Sequence, residues 1–123
     1  MRVVIYGSGR WRDAELVRQV LRALPAGTVI VRRTNTHGAE EIAEREARAV
    51  GLEVASVALN MYRFGHKAAL ERDLAMLEGA DRVIVFRSVG VSMDTDRMIW
   101  LAAKKGVNVL VHHGGGGELA AGG

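Results

Sequence analysis

Short runs of β-branched and other apolar residues alternate with longer charged segments of helical period over the first 112 residues, and this alternation restricts the fold more than any other feature. The runs are Arg2–Tyr6, Thr28–Arg32, Glu53–Ala58, Arg82–Phe86 and Asn108–His112. Each reads as apolar on both faces, as buried parallel strands do, and none alternates as an amphipathic edge strand would. Between them, Asp13–Leu24 sets Leu16, Val17, Val20, Leu21 and Leu24 on one stripe, with Asp13 as N-cap. Ala39–Val50 turns Ile42, Ala43, Ala47 and Val50 inward, leaves the pairs Glu41–Arg45 and Glu44–Arg48 outside, and stops at Gly51. His66–Glu78 and Asp94–Lys105 are the other predicted helices, ended by Gly79 and Gly106. Such units close through right-handed crossovers. The predicted fold class is therefore α/β: a three-layer, Rossmann-like, open parallel five-stranded sheet with helices on both faces.

A chain of 123 residues supports one core, here 1–112. The segment 113–123 holds six glycines and no hydrophobic period, so a flexible tail is expected. One proline and 5% aromatic residues argue against a sandwich or barrel. The absence of cysteine excludes disulfide scaffolds, thiolate zinc sites and thiol catalysis, and fits a cytoplasmic location. No apolar run approaches the ~18 residues that cross a bilayer, and Met1–Tyr6 passes at once into glycine, so neither signal peptide nor membrane partner is expected.

In an open α/β sheet ligands bind beyond the carboxyl ends of the strands, where strand order reverses. After the first strand, Gly7-Ser8-Gly9-Arg10-Trp11-Arg12 joins small residues, which let a phosphate approach backbone amides, to two arginines. It is not the dinucleotide fingerprint, because Arg12 stands where Gly-x-Gly-x-x-Gly needs its last glycine. Gly-x-Gly also serves a plain strand-to-helix turn, and Trp11 is as suited to plugging the helix start as to stacking on a base. After the fourth strand, Arg87 to Thr95 includes Gly90, Ser92 and Asp94 and leads into a helix whose first amides suit an anion, with Asp94 or Thr95 available as its cap. The two loops are neighbours if strands one and four flank the switch point. The loop after strand two, Arg33 to Glu40, is polar, and Gly38-Ala39 opens the next helix. Asn60 to Lys67 mixes aromatic and cationic residues, suited to stacking a base or to closing the domain edge, and Arg72 and Asp73 beyond it fit either a solvated helix face or, for Arg72, a place in the pocket. His37, His66, His112 and His113 make no H-x-x-x-H or H-E-x-x-H, and Ser8 lacks a Gly-x-Ser-x-Gly elbow, so no metal, cofactor or serine triad is expected.

These loops resemble the SLOG superfamily of Rossmann-like nucleotide-ligand domains, which includes lonely-guy phosphoribohydrolases and the DprA core, and most of all its YspA-like group. The likeness runs from Met1 to about Val111. Gly7-Ser8-Gly9-Arg10-Trp11-Arg12-Asp13 is similar to that group's Gly-x-Arg-x-Trp-x-Asp loop, and Gly38-Ala39-Glu40 to its Gly-Ala-Asp. Gly65-His66-Lys67-Ala68-Ala69, with Glu71-Arg72-Asp73 and Met76-Leu77, looks like its Gly-x-x-Ala-Gly-x-x-Arg-Asn-x-x-Met-Leu, and Thr95 with Met98-Ile99 like its Gly-Thr-x-x-Met-Ile. Two departures stand out. The group's second loop is glycine-rich after His-Gly-Gly, whereas Arg32 to His37 is not. In the phosphoribohydrolase motif Pro-Gly-Gly-x-Gly-Thr-x-x-Glu, Asp94 replaces the glycine before Thr95 and Met98 the glutamate, the carboxylate that N-glycosidic cleavage would use.

The resemblance, with the two small-residue loops, implies a binding domain for a nucleotide-derived ligand, ADP-ribose-like or a nucleoside phosphate, without robust catalysis. Its site would comprise Gly7, Ser8, Gly9, Arg10, Trp11, Gly38, Arg72, Gly90, Ser92, Asp94 and Thr95, with a homodimer as the assembly by family analogy. One alternative is an N-glycosidic hydrolase with Glu40, Asp94 or Asp96 as a displaced carboxylate. Another is a nucleic-acid module built on Arg10, Arg12, Arg32 and Arg33, which the net charge of +3 permits without demanding.

Overall fold

The computed structural model describes residues 1–114. The five runs form strands β1 (Arg2–Gly7), β2 (Val29–Arg33), β3 (Glu53–Val57), β4 (Arg82–Ser88) and β5 (Asn108–Gly114). All pair in parallel, in the order β3-β2-β1-β4-β5. Between them lie helices α1 (Ala14–Arg22), α2 (Ala39–Ala49), α3 (Met61–Phe64), α4 (Ala68–Leu77) and α5 (Met93–Lys104). The α/β reading is thus the observed architecture. Its chain order reverses between β1 and β4, which are paired from Val3–Arg82 to Gly7–Phe86.

Alternation along β1 divides the core. Val3 and Ile5 point to one face and pack with Val17 and Leu21 of α1 and Ile42 and Ala43 of α2. Val4 and Tyr6 point to the other, against Met76 and Leu77 of α4 and Met98 and Leu101 of α5. Each such large apolar side chain contributes about 1.5–3 kcal/mol on burial. A central parallel strand is apolar on both faces because helices cover both.

The structure departs from the sequence reading in three places. β3 and β5 are the sheet edges, and residues such as Glu53, Ser56 and Leu110 are exposed, so these strands are not buried on both sides. The helix expected from His66 starts at Ala68, after a 3-10 turn over Gly65–Lys67, and is preceded by the single turn α3, where the Asn60 side chain accepts from the Arg63 amide at 3.0 Å. β5 continues through His113 and Gly114, which pair with Arg87 and Ser88, so the boundary expected at residue 113 moves. The remainder of the glycine-rich segment lies outside the described residues. No helix among the described residues is long and apolar enough to cross a membrane.

Candidate functional site

The turn after β1 is fixed by the backbone of Ser8. Its amide donates to Phe86 O of β4 at 2.9 Å, and its carbonyl accepts from the Trp11 amide at 3.2 Å and from Ala39 at the start of α2 at 3.1 Å. Gly38 makes this approach possible: it has φ +69°, and a Cβ there would lie 2.3 Å from Ser8 O. Gly7 is equally confined, since a Cβ would stand 2.7 Å from Phe86 O. The amide of Arg10 donates to Ser8 Oγ at 3.0 Å, and the Arg10 side chain is exposed and without an ion pair among the described residues.

Above the β1–β4 junction lies a cavity of about 630 Å³. Gly7, Ser8, Gly9 and Arg10 form one wall, and Gly90, Ser92, Asp94 and Thr95 the opposite one. Arg33, Arg87, Ser88 and the 35–37 stretch complete it, with Val89 and Val91 at the rim. Eight of the eleven residues expected at the site therefore meet in one place. The other three do not line it. Trp11 is 2% exposed, sits edge-on to Phe86 at 5.2 Å and donates through Nε1 to Asp13 O, so it plugs the start of α1 and is not free to stack on a base. Gly38 lies behind the loop as a spacer. Arg72 is buried beside Asp73 on α4, so it neither completes the pocket nor lies on a solvated helix face, the two places the sequence allowed it. Ser92, rather than Asp94 or Thr95, caps α5: its hydroxyl accepts from the Thr95 amide at 3.2 Å.

Two buried carboxylates that do not line the cavity anchor the arginines that reach its Asp94; the sequence reading offered Glu40 only as a displaced hydrolytic carboxylate and did not single out Asp73 for the site. Glu40 is fully buried and accepts from the amides of Gly7 (3.1 Å) and Arg33 (2.9 Å), from Thr36 Oγ1 (3.0 Å) and from the Arg33 guanidinium. That guanidinium stacks 3.8 Å over the Tyr6 ring and lies 3.8 Å from Asp94. Burial alone would lower the Arg33 pKa, but the hydrogen bond and charge of Glu40 outweigh it and raise the value. Asp73, also fully buried, accepts from Arg97 at 2.7 and 3.0 Å and lies 3.4 Å from the Tyr6 hydroxyl. Burial pushes that hydroxyl up to about 12, with Arg33 pulling the other way, so Tyr6 stays protonated near neutrality. Arg97 reaches Asp94 at 3.5 Å, so Asp94 is held between two guanidiniums.

Of the arginines lining the cavity, Arg33 is paired with Glu40 and Arg87 with Asp96, which leaves the exposed Arg10 as the guanidinium without an ion pair among the described residues and so as the cation open to an anion. The amides of Gly9, Gly90 and Val91 donate to no protein acceptor among the described residues. Glu40 is consumed by its partners and Asp96 pairs with Arg87 at 2.7 Å outside the cavity lining, which leaves Asp94 as the carboxylate placed to face a ligand. Met98, at the position of the resembled family's glutamate, is wholly buried in the core. Arg32 and Arg33 are buried and bonded to Thr36 and Glu40, so of the four arginines read as a nucleic-acid surface these two offer nothing to a phosphate backbone. No family model matches the chain, and no curated protein matches it.

Proposed function

We propose that the cavity between the loops after β1 and β4 binds the phosphate of a nucleotide-derived ligand, ADP-ribose-like or a nucleoside phosphate, and that the domain, of SLOG type, binds without robust turnover. The observation that carries this reading is the set of unused donors at the topological switch point: Gly9, Gly90 and Val91, whose amides have no protein acceptor among the described residues, line one cavity with Arg10, whose guanidinium has no ion pair among them. Free amides held by the two loops stabilise an anion without reorganising, and the unpaired Arg10 adds a charge that can close on it. Met98 in the core, in place of a carboxylate, favours binding over cleavage.

Thermal unfolding with ADP-ribose, NAD and nucleoside monophosphates tests the proposal. Ligand at about 100 times its Kd adds about 2.7 kcal/mol, roughly 10 °C for a domain of this size. Arg10→Ala is expected to unfold at the wild-type temperature without ligand and to bind about 10- to 100-fold more weakly, the effect of losing one charge-assisted hydrogen bond. Affinity unaltered by Arg10→Ala would overturn the phosphate assignment. The second reading, N-glycosidic hydrolysis, rests on Asp94 at the cavity wall. Free base released from a nucleoside monophosphate and abolished by Asp94→Asn would favour it.

A further inference from the structure

Three guanidiniums and two buried carboxylates form one cluster that reaches the cavity through Arg33. Arg33 pairs with Glu40, while Arg72 and Arg97 both pair with Asp73. Tyr6 joins the two halves, with its ring under Arg33 and its hydroxyl 3.4 Å from Asp73. Three positive charges against two negative ones leave the cluster one carboxylate short, and a partly buried guanidinium needs a counter-charge. Asp94 supplies it, 3.8 Å from Arg33 and 3.5 Å from Arg97.

The three carboxylates are held very differently. Glu40 and Asp73 are fully buried and accept hydrogen bonds from Gly7, Arg33 and Thr36 and from Arg97 respectively. Asp94 has a side chain 57% exposed, lies on the cavity wall, and makes two contacts that are both longer than a good hydrogen bond. An exposed ion pair of that kind is weak. Arg33 beneath it is fixed: Nε and Nη2 donate to Glu40, and Nη2 also to Gly7 O. Its Nη1, the nitrogen nearest Asp94, donates to no acceptor among the described residues. A loosely held carboxylate thus covers an unused donor.

We propose that Asp94 is an internal competitor for the cavity: its carboxylate holds the place of a ligand anion between Arg33 and Arg97, and a phosphate binds by displacing it. This rests on the phosphate reading of the cavity. With Asp94 in place the cluster is neutral towards the cavity. With Asp94 turned into solvent it presents one net positive charge and the free Nη1 of Arg33, so the contact is autoinhibitory and sets how strongly an anion is held.

Calorimetric titration of ADP-ribose, whose diphosphate keeps its charge across neutral pH, into wild type, Asp94→Asn and Glu53→Gln tests the proposal. Asp94→Asn keeps the shape of the side chain and removes its charge. Glu53→Gln makes the same change in net charge at the amino end of β3, the end of the sheet away from the cavity. Both side chains are exposed, so both variants are expected to fold as wild type does. Asp94→Asn is expected to bind about tenfold more tightly than wild type, the scale of one unit charge removed from a half-wetted site a few ångströms away, and Glu53→Gln is expected to match wild type. An Asp94→Asn affinity equal to that of wild type, or an equal gain in both variants, overturns the competitor. Weaker binding by Asp94→Asn also overturns it, and would make Asp94 an acceptor for a ligand hydroxyl. In each of these cases the phosphate reading stands. Binding by neither wild type nor Asp94→Asn defeats the phosphate reading itself.

Discussion

Glu40 is the residue on which the site turns. Its carboxylate joins the end of β1, the end of β2 and the first turn of α2 through hydrogen bonds to Gly7, Arg33 and Thr36. Glu40→Gln keeps the shape but leaves the buried Arg33 charge without its partner. Breaking a buried pair from one side costs about 3–5 kcal/mol, a large share of the 5–15 kcal/mol typical of a domain. Chemical denaturation is expected to register that loss, and a change below about 1 kcal/mol would show the pair to be dispensable. The sequence did carry a signal for it. Arg33 follows Val31 by two residues and so shares its face of a central strand, and a charge at such a position must find a buried partner. What the sequence lacks is the partner's identity, because Glu40 is seven residues on, across a loop with no period. Trp11 fails for the opposite reason: an aromatic beside Gly-x-Gly looks the same whether it faces a ligand or the core.

At the scale of elements, the contact between the β1–α1 turn and the start of α2 sets the cavity wall. Gly38→Ala would force a Cβ to 2.3 Å from Ser8 O at a positive φ. The expected cost is roughly 1–3 kcal/mol, read as a lower denaturation midpoint together with weaker ligand binding; unchanged binding would detach α2 from the site. On the outer side, Arg18 of α1 reaches Glu46 of α2, and its hydrogen bond and charge hold the Glu46 carboxyl below the usual glutamate range despite the opposing effect of burial. A depressed native pKa means that the unfolded chain takes up the proton first. The stabilisation is therefore full above about pH 4 to 5 and is lost as pH falls through the native value. Glu46→Gln is expected to flatten the acid limb of the stability curve, and an identical limb would show that the pair contributes nothing. Strands and long helices were legible because periodicity is a local property. The 3-10 turn at Gly65–Lys67 and the single turn α3 were not, since four residues hold no period, and β3 and β5 read as central because edge status depends on pairing order.

For the whole molecule, the order β3-β2-β1-β4-β5 brings loops 80 residues apart in sequence to opposite walls of one cavity. Alternation foretold the parallel sheet, and the switch-point rule made the two loops neighbours on the condition that β1 and β4 flank the reversal, which their pairing meets. The polarity of the groove was not legible, because it depends on which of the many arginines and glutamates neutralise one another inside the fold. The central claim is that backbone amides on both walls receive a phosphate. Amide-resolved NMR during titration with ADP-ribose tests it most directly. Gly9 and Gly90, from opposite walls, together with Val91, are expected to shift along one saturating curve. Saturable shifts confined to other parts of the molecule, or none at millimolar ligand, would contradict the account.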